Sequence, residues 1–183
     1  MMATRSTNPD GSRDHPPRRR ASSSSFQPGA AITPEGLLPR RARVFVVDDH
    51  PLVRKGLQML LDLQPDMQVC GEAVGVSTAK QGIPKAAPDL VVVDLGLEDG
   101  DGFELMAWLR ERHPQIKMLV FSGHDDQVFV GRALQYGARG YVVKHDGMRE
   151  LIRAIRLVMQ DKLYLSSKAA QQGTPANQPA GKA

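Results

Sequence analysis

The sequence predicts an α/β fold built on a parallel sheet covered by helices on both faces. Three observations lead there. Short runs of β-branched and aromatic residues recur through the middle of the chain. Between them lie longer stretches whose apolar residues follow helical spacing. One run, Leu90-Val91-Val92-Val93, is apolar without a break, which marks a strand buried on both sides.

Taken in order, Val44-Phe45-Val46-Val47 is the first strand, bounded by charge. Leu52, Val53, Leu57, Leu60 and Leu61 give the apolar face of a first helix over Leu52 to Leu63. A second strand lies within Met67 to Val74, and Ser77 is placed to cap a helix running to about Ala86. Leu90 to Val93 is the third strand. Phe103, Leu105, Met106 and Leu109 form the stripe of a helix that His113-Pro114 ends. Met118 to Phe121 is a fourth strand, and Asp125 to Tyr136 a helix with Gly137 at its C-terminal end. Gly140 to Val143 is a fifth strand, and residues 147–160 a last helix with Leu151, Ile152, Ile155 and Val158 facing inward.

Five strands alternating with five helices suit a flavodoxin-like doubly wound sheet of order 2-1-3-4-5. In that order the winding reverses between strands 1 and 3, and ligands bind at the carboxyl ends of those strands. No GxGxxG follows the first strand, so a dinucleotide fingerprint is absent.

Charge and composition set the boundaries. The net charge is +4, but residues 1–43 carry +5 and residues 168–183 carry +2, leaving −3 on residues 44–167. The basicity therefore lies in the tails, and a folded basic face for nucleic acid is not indicated. Residues 1–41, with the run Ser22 to Ser25, the cluster Arg18-Arg19-Arg20 and six prolines, are expected to form a disordered basic arm. Residues 42–166 are the expected folded domain and residues 167–183 a low-complexity tail. A single cysteine, Cys70, excludes an intramolecular disulfide and reads as a small buried hydrophobe. No apolar run approaches the roughly 20 residues of a membrane helix, and no secretory h-region opens the chain. A cytoplasmic location is the expectation.

The chemistry lies at the strand ends. Strand 1 runs into Asp48-Asp49, strand 3 into Asp94, strand 4 into Ser122 and strand 5 into Lys144. Three carboxylates brought to one crevice repel one another unless a cation sits among them. A hard divalent ion answers that, and Mg²⁺ suits one or two carboxylates with waters and a phosphate. With an ammonium and a hydroxyl nearby, such a site is equipped to stabilise a transferring phosphoryl group, with Asp94 as the nucleophile. A carboxylate at one strand end is often only a turn former or helix cap. The set at consecutive strand ends is not explained that way.

The motifs V-F-V-V-D-D-H-P, V-V-V-D-L, F-S-G and G-Y-V-V-K resemble the receiver domain of bacterial response regulators, over residues 43 to about 166. The run D-L-G-L-E-D-G-D-G and the later D-K-L-Y-L-S resemble the NarL/LuxR-type subfamily. The resemblance implies that Asp94 is phosphorylated and that Asp49 and Asp94, helped by Asp48, hold Mg²⁺ with the Gly96 carbonyl. It implies that Ser122 and Lys144 contact the phosphoryl oxygens, and that Tyr141 is the aromatic whose rotamer follows Ser122. It implies no enzyme beyond phosphotransfer to itself and autodephosphorylation.

The sequence departs from the pattern in three places. Glu98 stands where proline is common, which leaves the loop less rigid. His145 follows Lys144 where many receivers have proline, so the usual cis bond is not expected. No DNA-binding module is expected after Ser167, where about sixteen residues of this sequence remain, too few for a helix-turn-helix domain. Gly102, by contrast, is kept, as the turn demands. His50, before Pro51, reads as a turn stabiliser, and Trp108 as partly buried core.

The leading reading is a phosphorylation-controlled switch. Its partners would be a sensor histidine kinase or phosphotransfer protein, a downstream protein target and, on phosphorylation, a second copy of the chain. Sequence-specific DNA binding and membrane association are not expected. The alternatives are the receiver part of a NarL/LuxR-type transcriptional regulator and an interaction module independent of phosphorylation. An aspartyl-phosphate phosphatase of the haloacid-dehalogenase type needs a second acid two residues after the nucleophile, and that position is Gly96.

Overall fold

The computed structural model describes residues 40–167 together with Ala169 and Ala170. The expected arm as far as residue 39 and most of the expected tail lie outside the described residues. Arg40 and Arg41, at the end of that arm, are held by the folded unit: Arg40 pairs with Asp89 at 2.9 Å, and the Arg41 guanidinium donates to the carbonyls of Gln64 and Met67.

Strand β1 (Ala42–Val47) leads to helix α1 (Pro51–Asp62), β2 (Met67–Ala73), α2 (Val76–Ala86) and β3 (Leu90–Val93). Two short strands, β4 (Gly96–Leu97) and β5 (Gly100–Asp101), precede α3 (Gly102–Arg112). Then come β6 (Lys117–Ser122), α4 (Gln127–Gln135), β7 (Gly140–Val143), α5 (Met148–Met159) and β8 (Tyr164–Leu165). The main sheet has the order β2-β1-β3-β6-β7-β8, every pairing parallel. The five expected strands are β1, β2, β3, β6 and β7, in the expected order. The sheet has a sixth strand, β8, which pairs with β7 through Gly140 with Tyr164 and Tyr141 with Leu165. Two residues are too few to show a period of two in sequence.

The strands sort their side chains by parity, as the pleat requires. Phe45, Val47, Val91 and Val93 face a core completed by Ala79 and Ile83 of α2, Leu105, Met106 and Leu109 of α3, and Val130 and Ala133 of α4. Val44, Val46, Val92 and Leu119 face the other core, with Leu57 and Leu61 of α1 and Leu151 and Ile155 of α5. Both faces of β3 are thus covered, which accounts for its unbroken apolar run.

Helix ends follow local side-chain chemistry at α3 and α4, and depart from it at α2. Asp101 caps α3 by accepting from Phe103 N–H, and Asp126 caps α4 by accepting from Val128 N–H. At the other end of α4, Gly137 lies at φ +96°, with its N–H on Leu134 O and Ala138 N–H on Ala133 O. In α2, Ser77 is the second residue rather than the cap; the N-cap is Gly75, and the capping carboxylate comes from Asp99, far along the chain. No cis peptide bond occurs among the described residues, so His145 follows Lys144 in trans, within a short 3₁₀ turn Lys144–Asp146. Trp108 is half-buried and rests on His113, ring centroids 4.9 Å apart. Cys70 is half-buried, and burial pushes its thiol above the ordinary range.

Candidate functional site

The carboxyl ends of the central strands carry the site because the sheet ladder fixes where each strand stops. Asp48 N–H continues the ladder onto Ala73 O, and Asp94 N–H onto Val47 O at 2.9 Å, so the two acids leave adjacent strands side by side. Ser122 closes β6 opposite Val143, and Lys144 follows directly. All five strand-end residues expected from sequence therefore reach one edge of the sheet.

Two of the acids are nearly closed off: Asp48 is 2% exposed and Asp94 4%. Burying a carboxylate is costly unless its oxygens are paired. Asp94 Oδ1 accepts the N–H of Leu95 at 2.7 Å and, more distantly, that of Gly96 at 3.4 Å. Lys144 Nζ lies 2.5 Å from Asp94 Oδ2 and 2.8 Å from Asp48 Oδ2. Burial works against the lysine's charge, but hydrogen bonds to Asp48 and Asp94 outweigh it and hold the ammonium above its usual range.

His50 stabilises the turn, as its place before Pro51 suggests. Its backbone N–H donates to Asp48 Oδ1 at 2.9 Å, and its ring Nδ1 lies 3.1 Å from the same oxygen. The ring also joins the acids: donor atoms of Asp48, Asp49, His50 and Asp94 lie within 4.8 Å of one another. Asp49 Oδ1 is buried and accepts no hydrogen bond, although His50 Nδ1 is 2.6 Å away, because the ring nitrogen is directed at Asp48. An orphaned carboxylate oxygen beside two other acids is what a hard cation would satisfy, and the donor set fits a divalent ion. Gly96 lines the same crevice, with His50, Ser122, His124 and Lys144.

Ser122 and Tyr141 are both fully buried and meet on one residue. Tyr141 donates its hydroxyl to His124 O at 2.7 Å, while His124 N–H approaches Ser122 Oγ at 3.4 Å. Burial pushes the Tyr141 phenol well above its ordinary value, so it remains a donor. No motif or spacing in the sequence points to His124. Its imidazole stacks on Phe129 with centroids 4.3 Å apart and planes 7° apart, at the mouth of the crevice.

Gly102 is needed for a different reason from the one expected. Its φ is not left-handed; rather, a Cβ there would lie 2.3 Å from the backbone oxygen of Asp94 and 2.8 Å from Leu95 Cα. Helix α3 starts hard against the backbone of Asp94 and Leu95, and Gly102 N–H donates to Leu95 O at 3.1 Å. Gly102→Ala is expected to lower stability by about 2–3 kcal/mol, because neither contacting group is a movable side chain. Denaturant unfolding of the variant checks this, and a change under about 0.5 kcal/mol would mean that the backbone yields easily.

Residues 44–156 match the family model described as response regulator receiver domain. The chain is 40% identical over 128 residues to the DNA-binding transcriptional activator DevR/DosR of Mycobacterium tuberculosis, a match covering 70% of this chain and 59% of that protein. It is 37% identical over 130 residues to the response regulator GacA of Pseudomonas viridiflava, covering 71% of this chain and 61% of that protein. The chain thus spans about three fifths of these relatives' length. Among solved structures, a two-component response regulator of the LuxR family from Aurantimonas sp. SI85-9A1 superposes with a TM-score of 0.70 at 33% identity, covering 73% of this chain and 96% of that one.

Proposed function

The chain belongs to the response regulator receiver domain family, and from that premise we propose that Asp94 accepts a phosphoryl group from a sensor histidine kinase or phosphotransfer protein, with Mg²⁺ bound beside it. One observation carries this reading: the nearly buried Asp94 borders a crevice that Ser122 and Lys144 also line, with the other acids alongside. In the transfer, a carboxylate oxygen of Asp94 attacks phosphorus. The bond from phosphorus to the donor imidazole nitrogen breaks, and its electron pair stays on the imidazole.

The Leu95 N–H orients the nucleophile and costs no reorganisation during the step. Lys144, already charged and already on Asp94, compensates the phosphoryl charge of about −2 as it arrives. Ser122 turns its hydroxyl to a phosphoryl oxygen. Asp48, Asp49 and Asp94, with the Gly96 carbonyl, would hold Mg²⁺, which supplies charge neutralisation at the phosphoryl oxygens. Because Ser122 and Tyr141 both engage His124, a Ser122 drawn toward the phosphoryl group releases the hold on His124 N–H and lets Tyr141 repack. Output then passes through a protein partner or a second copy of the chain.

A second reading has support in the names of the relatives, some of which are transcriptional regulators. In it, this receiver governs a DNA-binding output, and the chain's span of about three fifths of those relatives accommodates that.

Labelling by acetyl phosphate tests the chemistry. Label is expected only with a divalent ion and is expected to be released by hydroxylamine, as an acyl phosphate is. Label that survives a chelator, or resists hydroxylamine, would remove the reading. Ser122→Ala is expected to slow labelling by about a hundredfold, the loss of one oriented donor at the phosphoryl oxygens.

A further inference from the structure

We infer that Asp99 is a positioning residue, which uses the N-terminus of α2 to fix the segment 95–101 that brings Gly96 to the phosphoacceptor crevice. This role deepens the acceptor reading of Asp94, on which its labelling readout rests.

The segment has little of its own to hold it. Strands β4 and β5 pair over only two residues each, and Glu98 brings no fixed φ. What anchors it is a carboxylate fork. Asp99 Oδ1 accepts from Val76 N–H at 2.7 Å, and Oδ2 from Ser77 N–H at 3.2 Å. These are the first two amides of α2, which otherwise lack partners, and an anion there meets the positive end of the helix. The anchor is firm because α2 is fastened to the core by Ala79 and Ile83, both fully buried.

The sequence on the α2 side accommodates this carboxylate. Gly75 has an extended backbone, φ −169° and ψ −175°, which any residue adopts. Its lack of a side chain has another cause: a Cβ there would lie 1.9 Å from Asp99 Oδ1. Thr78 secures Gly75, its hydroxyl accepting from Gly75 N–H at 3.2 Å and donating to Gly75 O at 3.1 Å. Further along, Gly100 seats against Val76, where an added Cβ would lie 3.1 Å from Val76 Cγ2. Thus α2 grips the segment at two successive points. Between that grip and Asp94 lies Gly96, whose N–H reaches Asp94 Oδ1 only at 3.4 Å, so a displaced segment would shift Gly96 against the acids.

The test measures the Mg²⁺ dependence of acetyl-phosphate labelling in Asp99→Ala, Asp99→Asn and Gly75→Ala, with amide hydrogen exchange of Gly102 as a second readout. Asp99→Ala is expected to raise the Mg²⁺ concentration for half-maximal labelling about three- to tenfold, the range that loss of a helix cap allows. Gly75→Ala, which expels the carboxylate from the other side, is expected to do the same. Asp99→Asn keeps an accepting oxygen and is expected to stay within about twofold of wild type. Gly102 N–H, bonded to Leu95 O, is expected to exchange faster in both alanine variants and not in the asparagine one. An unchanged Mg²⁺ dependence in both alanine variants overturns the inference, even if their melting temperatures fall. If the wild type takes no label at all, the acceptor reading of Asp94 fails. Asp99 is then judged by Gly102 exchange alone, and unchanged protection in both alanine variants overturns its role.

Discussion

Asp94→Asn is expected to take no measurable label from acetyl phosphate, a loss of at least about a hundredfold against wild type. The substitution keeps the shape of the side chain and an oxygen that can accept the Leu95 N–H, so the acceptor turn has what it needs to form. Lys144 keeps Asp48 as a partner at 2.8 Å, so the ammonium is not stranded. What disappears is the proposed nucleophile, since an amide oxygen does not form a stable acyl phosphate. A thermal melt alongside the labelling shows whether the variant is folded. If a folded Asp94→Asn is still labelled and Asp49→Asn is not, the acceptor is Asp49 and the assignment to Asp94 is wrong.

The strand-end residues were legible in the sequence because their positions follow from something periodic and local. A β-branched run that ends in Asp, Ser or Lys places that residue at the sheet edge, and winding order then brings Asp48, Asp94, Ser122 and Lys144 together. The same logic found the core faces of the helices. It failed where a partner arrives from a distance. Ser77 is a reasonable cap by local pattern, yet α2 takes its cap from Asp99, and no window centred on α2 contains that residue. The two-residue strand β8 carries no periodic signal, although Ser166, the next residue, ties its end to β7 by donating its N–H to Tyr141 O. His124 escapes a sequence reading because its use depends on a ring stack with Phe129 and on two backbone bonds, none of which spacing alone marks. Gly102 stands out in sequence for the wrong cause: it is required by closeness to Asp94 O, a tertiary fact, and not by its own φ.

Lys144→Ala is expected to separate stability, metal binding and response. The lysine Nζ is the cation for two buried carboxylates, so its removal leaves Asp48 and Asp94 without a counter-charge. In the absence of divalent ions the variant is expected to lose about 2–4 kcal/mol, somewhat under the cost of breaking a fully buried pair from one side, because the lysine is partly exposed. The pH dependence follows from the raised lysine value. A lysine held above its ordinary value contributes its full stability below about pH 10.4 and loses it as pH rises through the folded-state value. The gap between wild type and variant is therefore expected to be constant at neutral pH and, on the alkaline side, to close in strong alkali. Millimolar Mg²⁺ is expected to restore most of the lost stability by mass action, because Asp48 and Asp94, which lose the ammonium, belong to the acid cluster that would hold the metal. For the same reason Mg²⁺ affinity is expected to rise, by about tenfold, once a positive charge no longer occupies the acids. Response should move the other way. Beryllofluoride, added as a phosphoryl mimic, is expected to shift the amide resonances around Ser122, His124 and Tyr141 in wild type and to leave them near their starting positions in Lys144→Ala. A variant that binds Mg²⁺ more weakly than wild type would show that the lysine supports the metal instead of competing with it. A full beryllofluoride response in the variant would show that Ser122 and the metal suffice to drive the switch.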